Sequence, residues 1–410
     1  MITVSEATSI ILQNLWKGTH EEVSLLQSID RILAEDILAD RDFPPFNRVT
    51  MDGISINHES FETGNRDYSV EGIQAAGMEQ KSLSSSLNCI EVMTGAMVPQ
   101  GCNTVIRYED LKIENGVAKV MASKIRKGDS IHVQGSDAKR GEILIQKGCL
   151  ISSAEIPLMA SVGKSKVKVS TLPRTALIST GDELIDIEAT PQLHQIRKSN
   201  IYALASALSN FGLPCDGGSP FGGKGAVGCN FFHLEDNEDF IHRTLKNILN
   251  DYDLIILSGG VSKGKFDLIP STLESFGIKK HFHQVKQRPG KPLWFGSSGN
   301  KIVFALPGNP VSTFMCFHQY IKPWLLKSLG AEPSSIKAIL ATDFTFDLPL
   351  TYFLQVKIKN EDGKILAEPI PGGGSGDFVN LKDADGFLEL PEGIANFKKG
   401  EAYNFISFRK

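Results

Sequence analysis

The chain lacks the marks of several protein classes. Its six cysteines (Cys89, Cys102, Cys149, Cys215, Cys229 and Cys316) form no CxxC pair and no zinc-ligand spacing. That argues against a structural zinc site and fits reduced thiols. No apolar run approaches the ~18 residues of a membrane span, and the first residues lack the basic and apolar regions of a signal peptide. A cytoplasmic protein with no membrane partner is therefore expected. The formal net charge is only -4, so there is no basic excess to suggest bulk nucleic-acid binding. No Walker A sequence is present, which excludes P-loop nucleotide chemistry. No internal repeat is visible.

What is present is a globular composition, 41% hydrophobic and 22% charged, over 410 residues. That length predicts two to four domains. The most informative stretch runs from Asp253 to Asp267. Its apolar run Leu254–Leu257 reads as a strand buried on both faces, the usual state in the centre of a parallel sheet. The turn after it contains Gly259, Gly260 and Gly264, with Ser262, Lys263 and Lys265 as donors and Asp267 before a helical pattern. Such a loop sits where open α/β sheets bind ligands, and its mixture of glycines, cations and a carboxylate suits phosphate with a metal. It equally fits an ordinary strand–helix turn capped by Asp267.

Taken in order, Thr3-x-x-Glu6 is a capping-box pattern opening an amphipathic helix that should end by Gly18. The diproline Pro44-Pro45 marks a boundary, because it can continue neither a helix nor a central strand. Short strand-like runs and glycines then predict a β domain over residues 42–137. This domain would be inserted into an N-terminal mixed domain built from residues 1–41 and 138–168. Strand–turn–helix alternation over residues 169–330 predicts a doubly wound, mostly parallel α/β domain, with Asn200 capping one of its helices. Residues 335–410 return to strands, with a hairpin at Glu361-Asp362-Gly363, and predict a small C-terminal β domain. The fold class is thus α/β multidomain.

Four loops of the α/β region carry candidate groups at strand ends: Asp182/Glu183, Ser262 to Asp267, Arg288/Lys291 and Asn309. Cations and carboxylates at one sheet edge suit an anion held with Mg²⁺, which takes a few carboxylates plus phosphate oxygens. Asp236 lies in an acidic run before a helix, a placement that the helix dipole alone explains. His281 and His283 alternate on one strand face without a third ligand at metal spacing, and read as half-buried strand residues.

Six ordered motifs then resemble one family. Ser179-Thr180-Gly181-Asp182-Glu183-Leu184, Ser258-Gly259-Gly260-Val261-Ser262, Pro289-Gly290-Lys291-Pro292 and Leu306-Pro307-Gly308-Asn309-Pro310-Val311 resemble the molybdopterin molybdenumtransferases, which include the gephyrin E domain. Met51-Asp52-Gly53 and Met93-Thr94-Gly95-Ala96, with Val98-Pro99-x-Gly101, match in the same order, so the resemblance spans nearly the whole chain. It implies insertion of molybdate into the dithiolene of adenylylated molybdopterin, with Mg²⁺-dependent cleavage that releases AMP. It also implies a homodimer whose active site is shared between subunits, supplied by a molybdopterin adenylyltransferase. Asp52, Thr94, Asp137, Glu183, Asp236 and Asp267 fall at functional positions, with Glu183 and Asp267 for the metal. Ser262, Lys263, Arg288, Lys291, Pro307, Asn309, Pro310 and Ser375 fall at substrate-binding positions.

The chain departs from the family at three places. Lys263 adds a charge after Gly260-Val261-Ser262. Gln355 stands where the family often has an arginine. Gly217–Gly228, with six glycines, reads as an inserted flexible surface loop. Two other readings are a gephyrin-like binding scaffold and a nucleotide-processing hydrolase that shares only the α/β domain. The retained acidic set argues against the first, and Asp52 and Thr94 argue against the second.

Overall fold

A computed structural model describes residues 1–213, 228–261, 268–370, 374 and 376–409. Ser262, Lys263, Asp267, Ser375 and all of the glycine-rich segment except Gly228 lie outside the described residues. The chain divides into two compact units, residues 36–146 with 157–165, and residues 1–35, 147–156 and 166–410.

The first unit is built on a six-stranded sheet in the order Thr104–Arg107, Gly53–Ile56, Asn88–Val92, Asp67–Gln74, Val117–Val120, Leu111–Glu114. Asn88–Val92 and Asp67–Gln74 run parallel, whereas the remaining pairs are antiparallel. Ile54, Ile56, Phe61, Tyr68 and Cys89 fill one cluster of its core. Gly53 opens its strand for a steric reason: a Cβ there would lie 1.9 Å from the Ile106 carbonyl oxygen. Asp52 is therefore held at the strand's start by a close approach that only glycine permits.

The second unit contains the α/β sheet. Its strands in chain order are β1 (Thr175–Thr180), β2 (Cys229–Leu234), β3 (Leu254–Ser258), β4 (Lys279–His283), β5 (Trp294–Ser298) and β6 (Lys301–Leu306). They lie side by side as β2-β1-β3-β6-β5-β4. The first four of that row are parallel; β5 runs antiparallel to both its neighbours. All residues of β1 and β3 are buried, which explains their uninterrupted apolar runs.

Helices cover the sheet. Glu238–Asp251 buries Ile241, Leu245, Ile248 and Leu249, a stripe at helical spacing, and the Asn237 side chain accepts from Phe240 N–H at 2.9 Å to cap it. Each such buried aliphatic is worth roughly 1.5–3 kcal/mol, so this stripe, rather than helix propensity, holds the element in place. The N-terminal helix Val4–Gln13 has the expected capping box, with Thr3 accepting from Glu6 N–H at 3.2 Å. It ends at Gln13, earlier than Gly18, because the Asn14 amide nitrogen donates to the Ile10 carbonyl and closes the last turn. Its buried face (Val4, Ala7, Ile11) joins the core under the α/β sheet.

The C-terminal strands close on themselves. Thr351–Glu361 pairs with Lys364–Pro369, then follow Ile336–Leu340, Ala402–Ser407 and Gly386–Leu390, which pairs back with Thr351–Glu361. Closure of this kind removes exposed sheet edges. The expected hairpin is present, with Asp362 and Gly363 both at positive φ as a two-residue turn requires. Four cysteines, Cys89, Cys102, Cys149 and Cys316, are free thiols. Cys229 is in a disulfide, which corrects the reading that all six are reduced; a sequence without paired spacing gives no sign of that.

The helix after β6 holds a feature that its sequence conceals. Pro310–Cys316 continues through a π-helical turn, Phe317–Ile321, into Lys322–Ser328. Pro323 lacks an N–H and crowds the carbonyl four residues back, and the wider turn accommodates it. His318 lies in that turn, buried, and neither ring nitrogen has a hydrogen-bond partner among the described residues. Phe314, Phe317 and Phe408 pack around it, with ring centroids 4.6, 5.3 and 5.8 Å away. Burial, then the charge of Lys322, pushes its pKa down to about 3. The folded pKa lies below the ordinary value, so the neutral ring stabilises fully above about pH 6.5. That stability is lost as pH falls toward the folded value, at up to ~1.4 kcal/mol per pH unit. By pH 5 the loss should reach roughly 2 kcal/mol. Thermal unfolding of wild type and His318→Phe at pH 7 and pH 5 checks this. The wild-type midpoint should drop further than the variant's, and equal drops would show that His318 stays hydrated or protonated.

Candidate active site

At the carboxyl ends of β1, β3 and β6 lies a cavity of about 430 Å³. Three loops build it: Gly181–Leu184 after β1, Gly259–Val261 after β3 and Pro307–Pro310 after β6, with residues 196–201 as a further wall. This is where the strand order reverses around β1, the place where open α/β sheets receive ligands. Glu183, Asp236, Pro307, Asn309 and Pro310, all candidates from the sequence, line this cavity.

Gly181 at φ +121° turns the chain out of β1, and a Cβ there would meet Glu183 Oε2 at 2.4 Å. The Glu183 carboxylate is folded back over the glycine that makes room for it. Leu184–Ile185 then pairs with Ile196–Arg197, and Glu183 C=O accepts from Ile196 N–H at 2.9 Å, which fixes the backbone on either side. From the end of β2, Asp236 N–H donates to Asp182 Oδ1 at 2.9 Å. Burial, then the nearby charges of Asp182 and Glu183, raises the Asp236 pKa above the ordinary carboxylate value. Asp182 and Glu183 thus place negative charge beside Asp236. Lys198 Nζ, on the same wall, is paired with Asp186 at 2.8 Å.

A second cavity of about 350 Å³ adjoins the first, sharing Pro292, Pro307, Gly308 and Asn309. Arg288 and Lys291 line it. Buried Gln287 anchors their loop, donating to Gly290 C=O at 2.8 Å and accepting from Tyr320 OH. Gln287–Arg288 also pairs in parallel with Thr351–Tyr352 of the C-terminal sheet. The two cations therefore sit on a loop held from both sides.

The other predicted residues lie in the first unit. Thr94 donates to Asp52 Oδ1 from its backbone N–H at 2.6 Å and from its hydroxyl at 2.8 Å. These two bonds, the backbone one first, hold the Asp52 pKa below the ordinary value. Asp137 pairs with His132 Nε2 at 2.7 Å, and the other ring nitrogen of His132 is 3.0 Å from Arg48. An arginine can only donate, so that nitrogen accepts and Nε2–H donates to Asp137. His132 lowers the Asp137 pKa. Asp267, Ser262, Lys263 and Ser375 lie outside the described residues.

His281 and His283 are half-buried, as expected, and bond within the protein, to Ser297 Oγ at 2.8 Å and Val261 C=O at 2.9 Å. Among the described residues no group of three or more His, Cys, Asp or Glu is placed to hold a metal by itself. Sequence reasoning missed Lys198, His132 and the role of Asn200. Asn200 does not cap its helix; it is the first helical residue, and its side chain reaches across to the end of β3 and to the loop after β6. Asn200 ends the polar run Arg197-Lys198-Ser199-Asn200, so nothing local distinguishes it, and its partners are 58 and 108 positions away.

The fold and the cavity define an α/β ligand-binding domain carrying appended β domains, of the kind found in molybdenum cofactor biosynthesis proteins. Residues 2–163 match the MoeA N-terminal region (domain I and II), residues 176–327 a probable molybdopterin binding domain, and residues 337–408 the MoeA C-terminal region (domain IV). A Synechocystis protein named molybdopterin molybdenumtransferase is 38% identical over 412 residues, covering 100% of both chains. A Bacillus subtilis protein of the same name is 30% identical, covering 100% of this chain and 94% of its own length. Among solved structures, a molybdopterin biosynthesis protein from Pyrococcus horikoshii superposes with a TM-score of 0.77 at 28% identity, covering 100% of both chains. The chain belongs to the molybdopterin molybdenumtransferase family, a family of enzymes.

Proposed function

We propose that this enzyme inserts molybdenum from molybdate into the dithiolene of adenylylated molybdopterin and releases AMP, yielding molybdenum cofactor. The observation that carries this reading is the full-length similarity to proteins named molybdopterin molybdenumtransferase. The site is consistent with it. A pyrophosphate-linked substrate needs its charge neutralised and a proton moved from attacking water. Cations on one loop and carboxylates on the next meet those needs. Arg288 and Lys291, with Ser262 and Lys263, contact the anionic groups of the substrates, and Pro307, Asn309 and Pro310 shape the wall between the two cavities. Ser375 adds a contact from the C-terminal domain. Asp236, with its raised pKa, accepts a proton more readily than an ordinary carboxylate.

Mg²⁺ fits the oxygen donors Glu183 and Asp236, and Glu183 with Asp267 would hold it. An incomplete protein set suits that ion, which takes only one or two carboxylates alongside substrate phosphates. When bound, it would neutralise charge developing on the phosphates. Asp52, Thr94 and Asp137 serve the same reaction in a homodimer whose site is shared between subunits, with a molybdopterin adenylyltransferase as donor of the substrate. No helix among the described residues is long and apolar enough to cross a membrane.

The test is AMP release from adenylylated molybdopterin by purified protein. It should require molybdate, stop on chelation with EDTA and recover with Mg²⁺. Release that ignores molybdate would instead favour a nucleotide-processing hydrolase.

A further inference from the structure

We propose that Asn200 is a positioning residue that locks the β3 and β6 loops to each other and so sets the shape of the main cavity. The inference rests on that cavity being the substrate site, and it adds a residue to which no role has been assigned. Asn200 opens the helix Asn200–Ser209 and lines the cavity. Its Nδ2 donates to Ser258 Oγ at 2.8 Å, at the end of β3. It also donates to Gly308 C=O at 2.7 Å, in the loop after β6, and approaches Thr313 Oγ1 at 3.3 Å.

Thr313 completes the junction. Its hydroxyl donates to Pro307 C=O at 2.5 Å, and Ser258 Oγ lies 3.4 Å away. Ser258 and Thr313 are buried. The carbonyls of Pro307 and Gly308 thus take donors from two side chains that also touch each other. The Pro307–Pro310 loop contains two prolines, so it has few N–H groups with which to hold itself. Its carbonyls supply anchorage, and the Asn200 amide nitrogen adds a link to the neighbouring strand end beside the Gly259 N–H to Leu306 C=O bond. Hydrogen bonds in such a connected, partly buried network count for more together than one by one.

The chemistry needs a donor, not merely bulk. Asn200→Asp keeps the shape but turns an oxygen toward the Gly308 carbonyl, where two acceptors repel. Asn200→Ala removes the direct link between the end of β3 and Gly308 without repulsion, and leaves the Thr313 bond to Pro307 C=O in place. A misplacement of about 1 Å in a site of this kind can lower turnover by ~10²-fold. The expected order is therefore wild type, then Asn200→Ala with kcat/KM down by roughly 10-fold, then Asn200→Asp down by roughly 100-fold.

The experiment pairs that assay with a readout independent of the reaction. Amide hydrogen exchange of the free, full-length variants should quicken in both segments 256–261 and 305–313, while the helix 201–209 and the thermal midpoint stay near wild type. Quickened exchange in both loops with loss of kcat/KM in the predicted order supports the tie. Unchanged exchange in either loop overturns it, as does Asn200→Asp with wild-type kcat/KM. So does a drop in midpoint large enough to account for lost activity. If wild type itself releases no AMP with molybdate and Mg²⁺, the proposed reaction fails, and the exchange data still decide whether Asn200 joins the loops.

Discussion

Glu183→Gln should lower kcat by ~10²-fold or more, the usual scale for a carboxylate that handles a metal or developing charge, and leave the thermal midpoint almost unmoved. Glu183 is exposed, so loss of its charge removes no buried partner. Its backbone is held by Gly181 and by the pairing with Ile196, neither of which the substitution touches. The same change should alter the residual activity in a second, diagnostic way. Glu183 is one of two nearby charges that raise the Asp236 pKa, after burial. With that charge gone, Asp236 gives up its proton at lower pH, so the acidic limb of kcat/KM against pH should move down. A variant within a few-fold of wild type would remove Glu183 from the chemistry. A large loss with an unmoved acidic limb would show that Asp236 is not the titrating group.

Much of the architecture was legible because strand burial leaves a trace in composition. Leu254–Leu257 reads as a central strand since both of its faces are covered, and Gly259 and Gly260 mark the turn beyond it, which lines the cavity. The hairpin at Asp362-Gly363 and the box at Thr3–Glu6 are equally local, set by residues within four positions of one another. The order of the strands is not local. Nothing in Trp294–Ser298 announces that it runs against the sheet, because antiparallel pairing depends on a partner rather than on the strand's own residues. The π turn at Phe317–Ile321 is similar, since its cause, Pro323, lies after it.

The site divides along the same line. Motifs show which residues gather, and Glu183, Asp236 and Asn309 do line one cavity. What the motifs omit is the set of bonds between them. Asn200 and Gly308 are 108 positions apart, and Asp236 owes part of its raised pKa to Asp182, 54 positions away. Such pairs leave no periodicity to read. Their effects are also the ones that decide protonation and loop position, so these emerge only once the chain is folded.

Mixing two inactive variants should restore activity if the active site is shared between subunits. Asp52 and Glu183 belong to different compact units of the chain, and two hydrogen bonds from Thr94 hold the Asp52 pKa below the ordinary value. In a two-fold dimer each site would take Asp52 from one subunit and Glu183 from the other. Asp52→Ala and Glu183→Ala proteins, each inactive alone, are combined in equal amounts and allowed to exchange subunits. Random exchange makes about half of the dimers mixed, and every mixed dimer carries one site with both lesions and one with neither. Roughly a quarter of wild-type activity should therefore return. Native mass spectrometry of a mass-tagged variant verifies that exchange has occurred. If both residues act within one chain, no pairing yields an intact site, and activity stays at background however complete the exchange. A return to roughly a quarter, reached with the time course of exchange, places the two residues in one site built by two chains.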